Sequence, residues 1–204
     1  MARTCPVGFD VARLRAEVSA TYEQVARAPD GDFHFHRGID YACDLLCYQR
    51  EALEALPRET VAPFAGVANP LRIGPIEPGE TVLDIGSGGG TDILLAAGRV
   101  GPSGRAIGVD MTAAMRELAT ASAAKMGYEH VEIRAGTAEE LPVEDASISV
   151  VISNGVLNLS PDKDSAFREI ARVLKPGGRL YLGDVVVSRE LSLDARSDVD
   201  LWAA

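Results

Sequence analysis

The stretch TVLDIGSGGGTD, residues 81–92, decides the fold. TVLDIG reads as a strand, and glycines follow at positions 86, 88, 89 and 90 before the next helical pattern begins. A glycine-rich bend between strand and helix lets backbone approach a ligand closely, and in an open α/β sheet it lies at the carboxyl end, where such folds bind ligands. The spacing is D-x-G-x-G-x-G, with Asp84 inside the strand. A dinucleotide fingerprint starting at Gly86 asks for a third small residue three positions after Gly88, where this chain has Thr91. The bend by itself is a weak signal, and its neighbours must say what it binds.

Downstream of it, apolar strands alternate with helices of 10 to 15 residues, the pattern of a parallel sheet wrapped by crossovers. The strands are TVLDIG, RAIGVD, VEIRAG, SISVVIS and GRLYLGDVVV. Helices are expected at 91–100, 112–126 and 163–174, closed by GPSG, Gly127 and KPGG, with a last helix near 193–204. Upstream, Val11, Leu14, Val18, Tyr22 and Val25 recur at helical spacing over residues 10–28. After the turn PDGD comes HFHRGIDYACDLLCYQREALEALP, again mostly helical in pattern, and then the connector PFAGVANPLRIGPIEPGE. The expected fold is thus a doubly wound, Rossmann-like α/β sheet, with residues 1–75 as helical cap and connector and 76–204 as the ligand-binding domain.

A chain of 204 residues is long enough for one sizeable core. Its 20 Lys and Arg against 30 Asp and Glu give a formal net charge of −10, a field that repels nucleic acid. No apolar run approaches the roughly 20 residues of a spanning helix, and MARTCPVGFD has no signal-peptide character. A soluble cytoplasmic protein without membrane or nucleic-acid partners is expected. Cys5, Cys43 and Cys47 are an odd number and form no disulfide framework.

At the end of the second strand, Asp110 lies where a carboxylate accepts from both ribose hydroxyls, and Met111 beside it suits an adenine face. After the third strand, Thr137, Ala138 and Glu139 lie where they flank the adenine edge. Each has a plainer alternative: Asp84 as a loop organiser, Asp110 as a helix cap, Glu139 as a solvated charge. Their order at three successive strand ends favours a nucleoside site. Asp110 also suits the ribose of a nicotinamide dinucleotide, so an oxidoreductase is the rival enzyme class.

This order of motifs, from residue 81 to 187 and including the KPGGR turn before the fifth strand, resembles the class I S-adenosylmethionine-dependent methyltransferases. The resemblance implies S-adenosylmethionine as cofactor, with Asp84, Gly86, Ser87, Gly88 and Gly90 around its methionine portion, Asp110 on the ribose, and Met111, Thr137, Ala138 and Glu139 about the adenine. It also implies that Ser153, Asn154 and Gly155, in VISNGVLNLSPDK, line the place where methyl donor and acceptor meet, with Asn154 as the catalytic candidate that orients one of them.

GVDMT, ISNGVLNLSPDK, RVLKPGGRLYLGDVV and the upstream FAGVANP are similar to arsenite methyltransferases in particular. That family carries a cysteine after the ISN asparagine and another in the loop before the core; this chain has Gly155 and Val67 there. Trivalent arsenic is held by thiolates, and glycine and valine offer it nothing. The expected acceptor is a small molecule other than arsenite, with Gly155 widening its space. Cys43 and Cys47, read as one turn apart on one helix face, are either an alternative thiolate pair, joined by Cys5, or small core residues. His34 and His36 are candidate substrate contacts, or loop residues, and too few for a metal site. Methyl transfer from a sulfonium is an in-line displacement that needs alignment and dryness more than a base. A protein that binds S-adenosylmethionine or a metalloid without catalysis is the alternative.

Class I members usually add two strands after the fifth, and in the arsenite family more chain, including a further cysteine, follows this point. The sequence is therefore expected to be truncated after strand five, leaving an apolar edge open to homodimer pairing.

Overall fold

The computed structural model describes residues 10–186 together with Ser188 and Ser192. Five strands, β1 (Thr81–Ile85), β2 (Arg105–Asp110), β3 (Val131–Ala135), β4 (Ile148–Asn154) and β5 (Leu174–Gly183), form one sheet in the order β3-β2-β1-β4-β5. All four pairings are parallel. The helices are α1 (Val11–Arg27), α2 (Gly38–Asp44), α3 (Arg50–Glu54), α4 (Arg58–Val61), α5 (Thr91–Val100), α6 (Ala113–Lys125) and α7 (Lys163–Val173). Strand order reverses between β1 and β4, which opens a crevice at their carboxyl ends.

Alternation along the strands feeds two cores. Val82, Ala106, Val150 and Ile152 face α5 and the segment before the sheet, together with Tyr48, Leu53 and Phe64. Leu83, Ile85, Ile107, Val109 and Val151 face α7 through Ala166, Ile170 and Val173. Each Val, Leu or Ile among these contributes about 1.5–3 kcal/mol on burial. The segment before residue 76 shares the first core with the sheet. No helix among the described residues is long and apolar enough to cross a membrane.

Local chemistry sets the element ends. The Asp10 carboxylate accepts from the N–H groups of Ala12 (2.9 Å) and Arg13 (3.2 Å) and starts α1; Asp162 accepts from Ser165 N–H (3.0 Å) and starts α7. Gly90, with φ of 98°, turns the glycine bend into α5.

Two expectations are corrected. The stretch from 34 to 57 is broken into short helices, and Cys47 lies outside α2 with φ of 59°, so Cys43 and Cys47 do not share a helix face. The cause is Tyr48: its N–H returns to the Ala42 carbonyl (3.1 Å) and its side chain turns into the core, which ends the helix. The fifth strand stops at Gly183 rather than running through the following valines, because the Asp184 carboxylate accepts from Val185 N–H (2.8 Å) and Asn158 N–H (3.1 Å), a local turn that competes with the ladder. Among the described residues β5 is one of the two outer strands of the sheet, with β3 at the other edge; the helix expected near 193–204 lies outside them.

Candidate functional site

At the switch point the carboxyl ends of β1, β2 and β4, the loop after β3 and the face of α1 enclose an open-mouthed cleft. Its floor is the glycine bend. Gly86 and Ser87 donate their N–H groups to the Val109 carbonyl (2.8 and 3.1 Å), which ties the bend to β2. Gly88 has φ of 52°, and a Cβ there would meet nothing within 4 Å: the backbone borders open space. Its N–H donates to Asp110 Oδ2 (2.9 Å), while Thr112 N–H donates to Oδ1 (2.8 Å). The Ser87 hydroxyl is buried without a partner at this same bend.

The buried Asp84 and Asp92 and the half-buried Asp110 line the cleft. Burial, then the charges of Asp92 and Asp110, push Asp84 well above the ordinary carboxylate range, opposed by a hydrogen bond from the Ile93 N–H. Burial also raises Asp92, against donors from Asn154 and Tyr48 and the charge of Arg99, and it raises Asp110 against the Thr112 and Gly88 N–H groups. The basic side chain on the wall is Arg15, and Glu139 engages it at 3.2 Å while accepting from the Ser160 hydroxyl at 2.6 Å. The titratable side chains of the cleft are therefore mainly acidic, and burial makes their ionisation costly without a positive charge beside them.

A carboxyl whose folded pKa is raised holds its proton longer in the folded than in the unfolded chain, so stability falls as pH rises from the ordinary carboxylate range through the raised values. A cationic ligand favours the ionised forms. Thermal melts without ligand should lose stability across that window, and calorimetry of S-adenosylmethionine in buffers of different ionisation enthalpy should register proton release; proton uptake would contradict the assignment.

Of the residues singled out from the sequence, Asp84, Gly86, Ser87, Gly88, Asp110, Met111, Thr137, Ala138, Glu139, Asn154 and Gly155 all border this cleft. Four do not. Ser153 sits one residue too deep: it pairs with Ile85, is fully buried, and donates its hydroxyl to the Ile85 carbonyl (3.3 Å). Gly90 packs the start of α5 against α6, where its Cβ would lie 3.1 Å from that of Ala119. His34 is edge-on to Phe35 and His36 stacks on Tyr41. Their segment folds on itself because the Arg37 guanidinium stacks over Phe33 and donates to the Gly31 (2.7 Å) and Pro29 (3.0 Å) carbonyls.

The role expected of Asn154 also changes. Its amide oxygen accepts from the N–H groups of Val67 (2.8 Å) and Ala68 (3.0 Å), and its nitrogen donates to Asp92 (2.9 Å) and the Ala68 carbonyl (2.8 Å). It is occupied within the protein. Gly155 and Val67, the two positions where the arsenite family was expected to carry cysteines, are neighbours: a Cβ on Gly155 would stand 3.3 Å from a Val67 methyl.

Sequence reasoning missed Asp92, Phe64, Val156 and the α1 residues Leu14, Val18 and Tyr22, all on the cleft wall. Asp92 was legible as an acidic residue in the first turn of a helix. The α1 stripe was legible only as a buried face, since nothing in it says that part of what it covers is a cleft.

A parallel sheet with its cleft at the switch point, a glycine bend on the first strand and a carboxylate closing the second define a nucleoside-cofactor domain. The chain belongs to the methyltransferase domain family, whose model matches residues 76–203. An arsenite methyltransferase of Halobacterium salinarum is 49% identical over 135 residues, covering 66% of this chain and 34% of that protein. The arsenite methyltransferase of Rattus norvegicus is 35% identical, covering 94% and 53%. The crystal structure of an arsenic(III) S-adenosylmethionine methyltransferase from Chlamydomonas reinhardtii superposes with a TM-score of 0.65 at 40% identity, over 72% of this chain and 51% of that one. The chain thus spans a third to a half of these relatives. S-adenosylmethionine is the cofactor of this kind of domain, and the nicotinamide alternative falls. The residues present suit it: acidic side chains at three strand and helix ends face a cation, and the bare Gly88 backbone leaves room.

Proposed function

We propose that this chain binds S-adenosylmethionine and takes part in methyl transfer to a small-molecule acceptor other than arsenite. The observation that carries the cofactor half is the convergence of Asp84, Asp92 and Asp110 on the glycine bend. When bound, S-adenosylmethionine supplies an activated methyl group on a sulfonium. In this reading Asp110 holds the ribose, Met111 and Ala138 pack the adenine, and Asp84 and Asp92 oppose the positive charge. Tyr22 and Phe64 narrow the cleft and keep water away.

The acceptor half rests on Gly155 and Val67. They are neighbours, the resemblance to the arsenite family implies cysteines at both positions, and among the described residues neither Cys43 nor Cys47 borders the cleft. Incubation with S-adenosylmethionine, arsenite and a thiol should yield no methylated arsenical, whereas a panel of thiol, amine and carbon acceptors should release S-adenosylhomocysteine with at least one; a methylarsenical product would overturn this half. No release with any acceptor would favour the non-catalytic alternative.

Gly155 has φ of 71°, a left-handed conformation, and stands close to Val67. Gly155→Val should cut turnover at least tenfold while S-adenosylmethionine affinity stays within about threefold of wild type, because the added methyls meet the acceptor wall and not the glycine bend. An unchanged rate would remove Gly155 from the acceptor space. A cytoplasmic setting and pairing of two chains along the β5 edge complete the proposal; light scattering at rising concentration should return the mass of two chains, and a monodisperse monomer would refute the pairing.

A further inference from the structure

Between the cleft and the loop at residues 64–69 lies a polar knot that positioning of the cofactor alone does not require. Asp92 borders the cleft. Its Oδ1 accepts from the Tyr48 hydroxyl at 2.6 Å and its Oδ2 from the Asn154 amide at 2.9 Å. The far side of the same Asn154 amide holds the Val67 and Ala68 N–H groups, and Ala68 returns its carbonyl to Asn154 at 2.8 Å and lies within reach of the Tyr48 hydroxyl at 3.2 Å. Glycine at position 66 is what lets the loop come this close, since a Cβ there would collide with the Asn154 amide at 2.3 Å. Val67, so held, stands against Gly155.

We propose that Asn154 is a positioning residue which, through Asp92 and Tyr48, joins occupancy of the cofactor cleft to the setting of the 64–69 loop, and so to the wall beside Gly155. The physical link is the charge on Asp92. A cation in the cleft favours its ionised form, and hydrogen bonds to an ionised acceptor are roughly twice as strong as neutral ones. Stronger bonds to Asn154 and Tyr48 hold the loop more tightly, and the coupling works equally in reverse. The proposal rests on the cleft taking S-adenosylmethionine.

Hydrogen exchange tests it without need of an acceptor. In the wild-type chain, saturating S-adenosylmethionine should slow exchange of the Val67 and Ala68 amides about tenfold or more. Asn154→Ala should leave both amides exchanging fast, with or without ligand. Tyr48→Phe removes the hydroxyl that donates to Asp92 and the Ala68 carbonyl and accepts from the Asn154 amide, but leaves Asn154 bonded to Asp92, Val67 and Ala68. It should preserve most ligand-free protection but reduce the ligand-induced slowing to less than about threefold, whereas a merely structural pin would leave that response intact. Calorimetry on the same samples separates the failures. Absence of any S-adenosylmethionine binding sinks the cofactor assignment and this proposal with it, whereas normal binding without slowing at Val67 and Ala68, or slowing that survives in both variants, sinks this proposal alone.

Discussion

Asp110→Ala is expected to weaken S-adenosylhomocysteine binding by about a hundredfold or more. An ionised carboxylate offers about four acceptor positions. Two are taken by the Gly88 and Thr112 N–H groups, which leaves two for the hydroxyls of a ribose diol. Hydrogen bonds to a charged group contribute about 1.5–3 kcal/mol each, so losing two costs about 3 kcal/mol at least, and each 1.4 kcal/mol is tenfold in affinity. The substitution also releases the Gly88 N–H and so loosens the bend that shapes the site. Isothermal titration reads the outcome directly. A variant that folds, melts within a few degrees of wild type and binds within threefold would remove Asp110 from the ribose and with it the present assignment of the cleft.

The second large effect is on stability. Gly86→Ala should destabilise the chain by about 3 kcal/mol, from two independent causes. The residue has φ of 71°, where a side chain costs about 1–2 kcal/mol. Its Cβ would also come within 2.3 Å of a Val156 methyl, and overpacking of this kind typically costs 1–3 kcal/mol. For a chain of this size the melting temperature should fall by roughly 6–12 °C. Gly88→Ala is the control: it shares the positive φ but meets no neighbour, so it should lose little beyond the backbone strain while its new methyl enters the cleft and weakens cofactor binding. Equal losses of stability in the two variants would mean that the Val156 contact does not constrain the bend.

These two glycines illustrate what a sequence conveys. Both stand in GSGGG, and both were read as permitting close approach of backbone to a ligand. The structure divides the work between them. Gly88 borders the ligand space, Gly86 makes room for Val156 from the β4 side, and Gly90 belongs to the packing of α5 on α6. No local pattern distinguishes them, because the atoms that make the difference come from residues 119 and 156.

Much of the fold was legible because it is dictated locally. Alternation of short apolar strands with capped helices gave five parallel strands, and the expected 91–100 helix agrees with α5 to the residue. The carboxylate closing β2 and the residues after β3 border the cleft for the same reason: in a parallel sheet every strand delivers its carboxyl end to one rim. Local pattern failed where a long-range partner captured a side chain. Tyr48 broke a helix in order to reach Asp92, and Ser153 turned inward to Ile85. Asn154, read as facing a substrate, spends its amide on a loop 86 residues away in sequence.

The sequence by itself determined the order of strands and helices, the glycine bend, the acidic residues at the strand ends, and the absence of thiols at positions 67 and 155. Periodicity, turn chemistry and residue type are properties of neighbours in the chain. Only the tertiary structure decided that Val67 and Gly155 touch, that α1 walls the cleft, and that Asp92 joins Asp84 and Asp110 there. Contacts between distant segments depend on how sheet, crossover and cap share one packed interior, and no stretch of sequence carries that information alone.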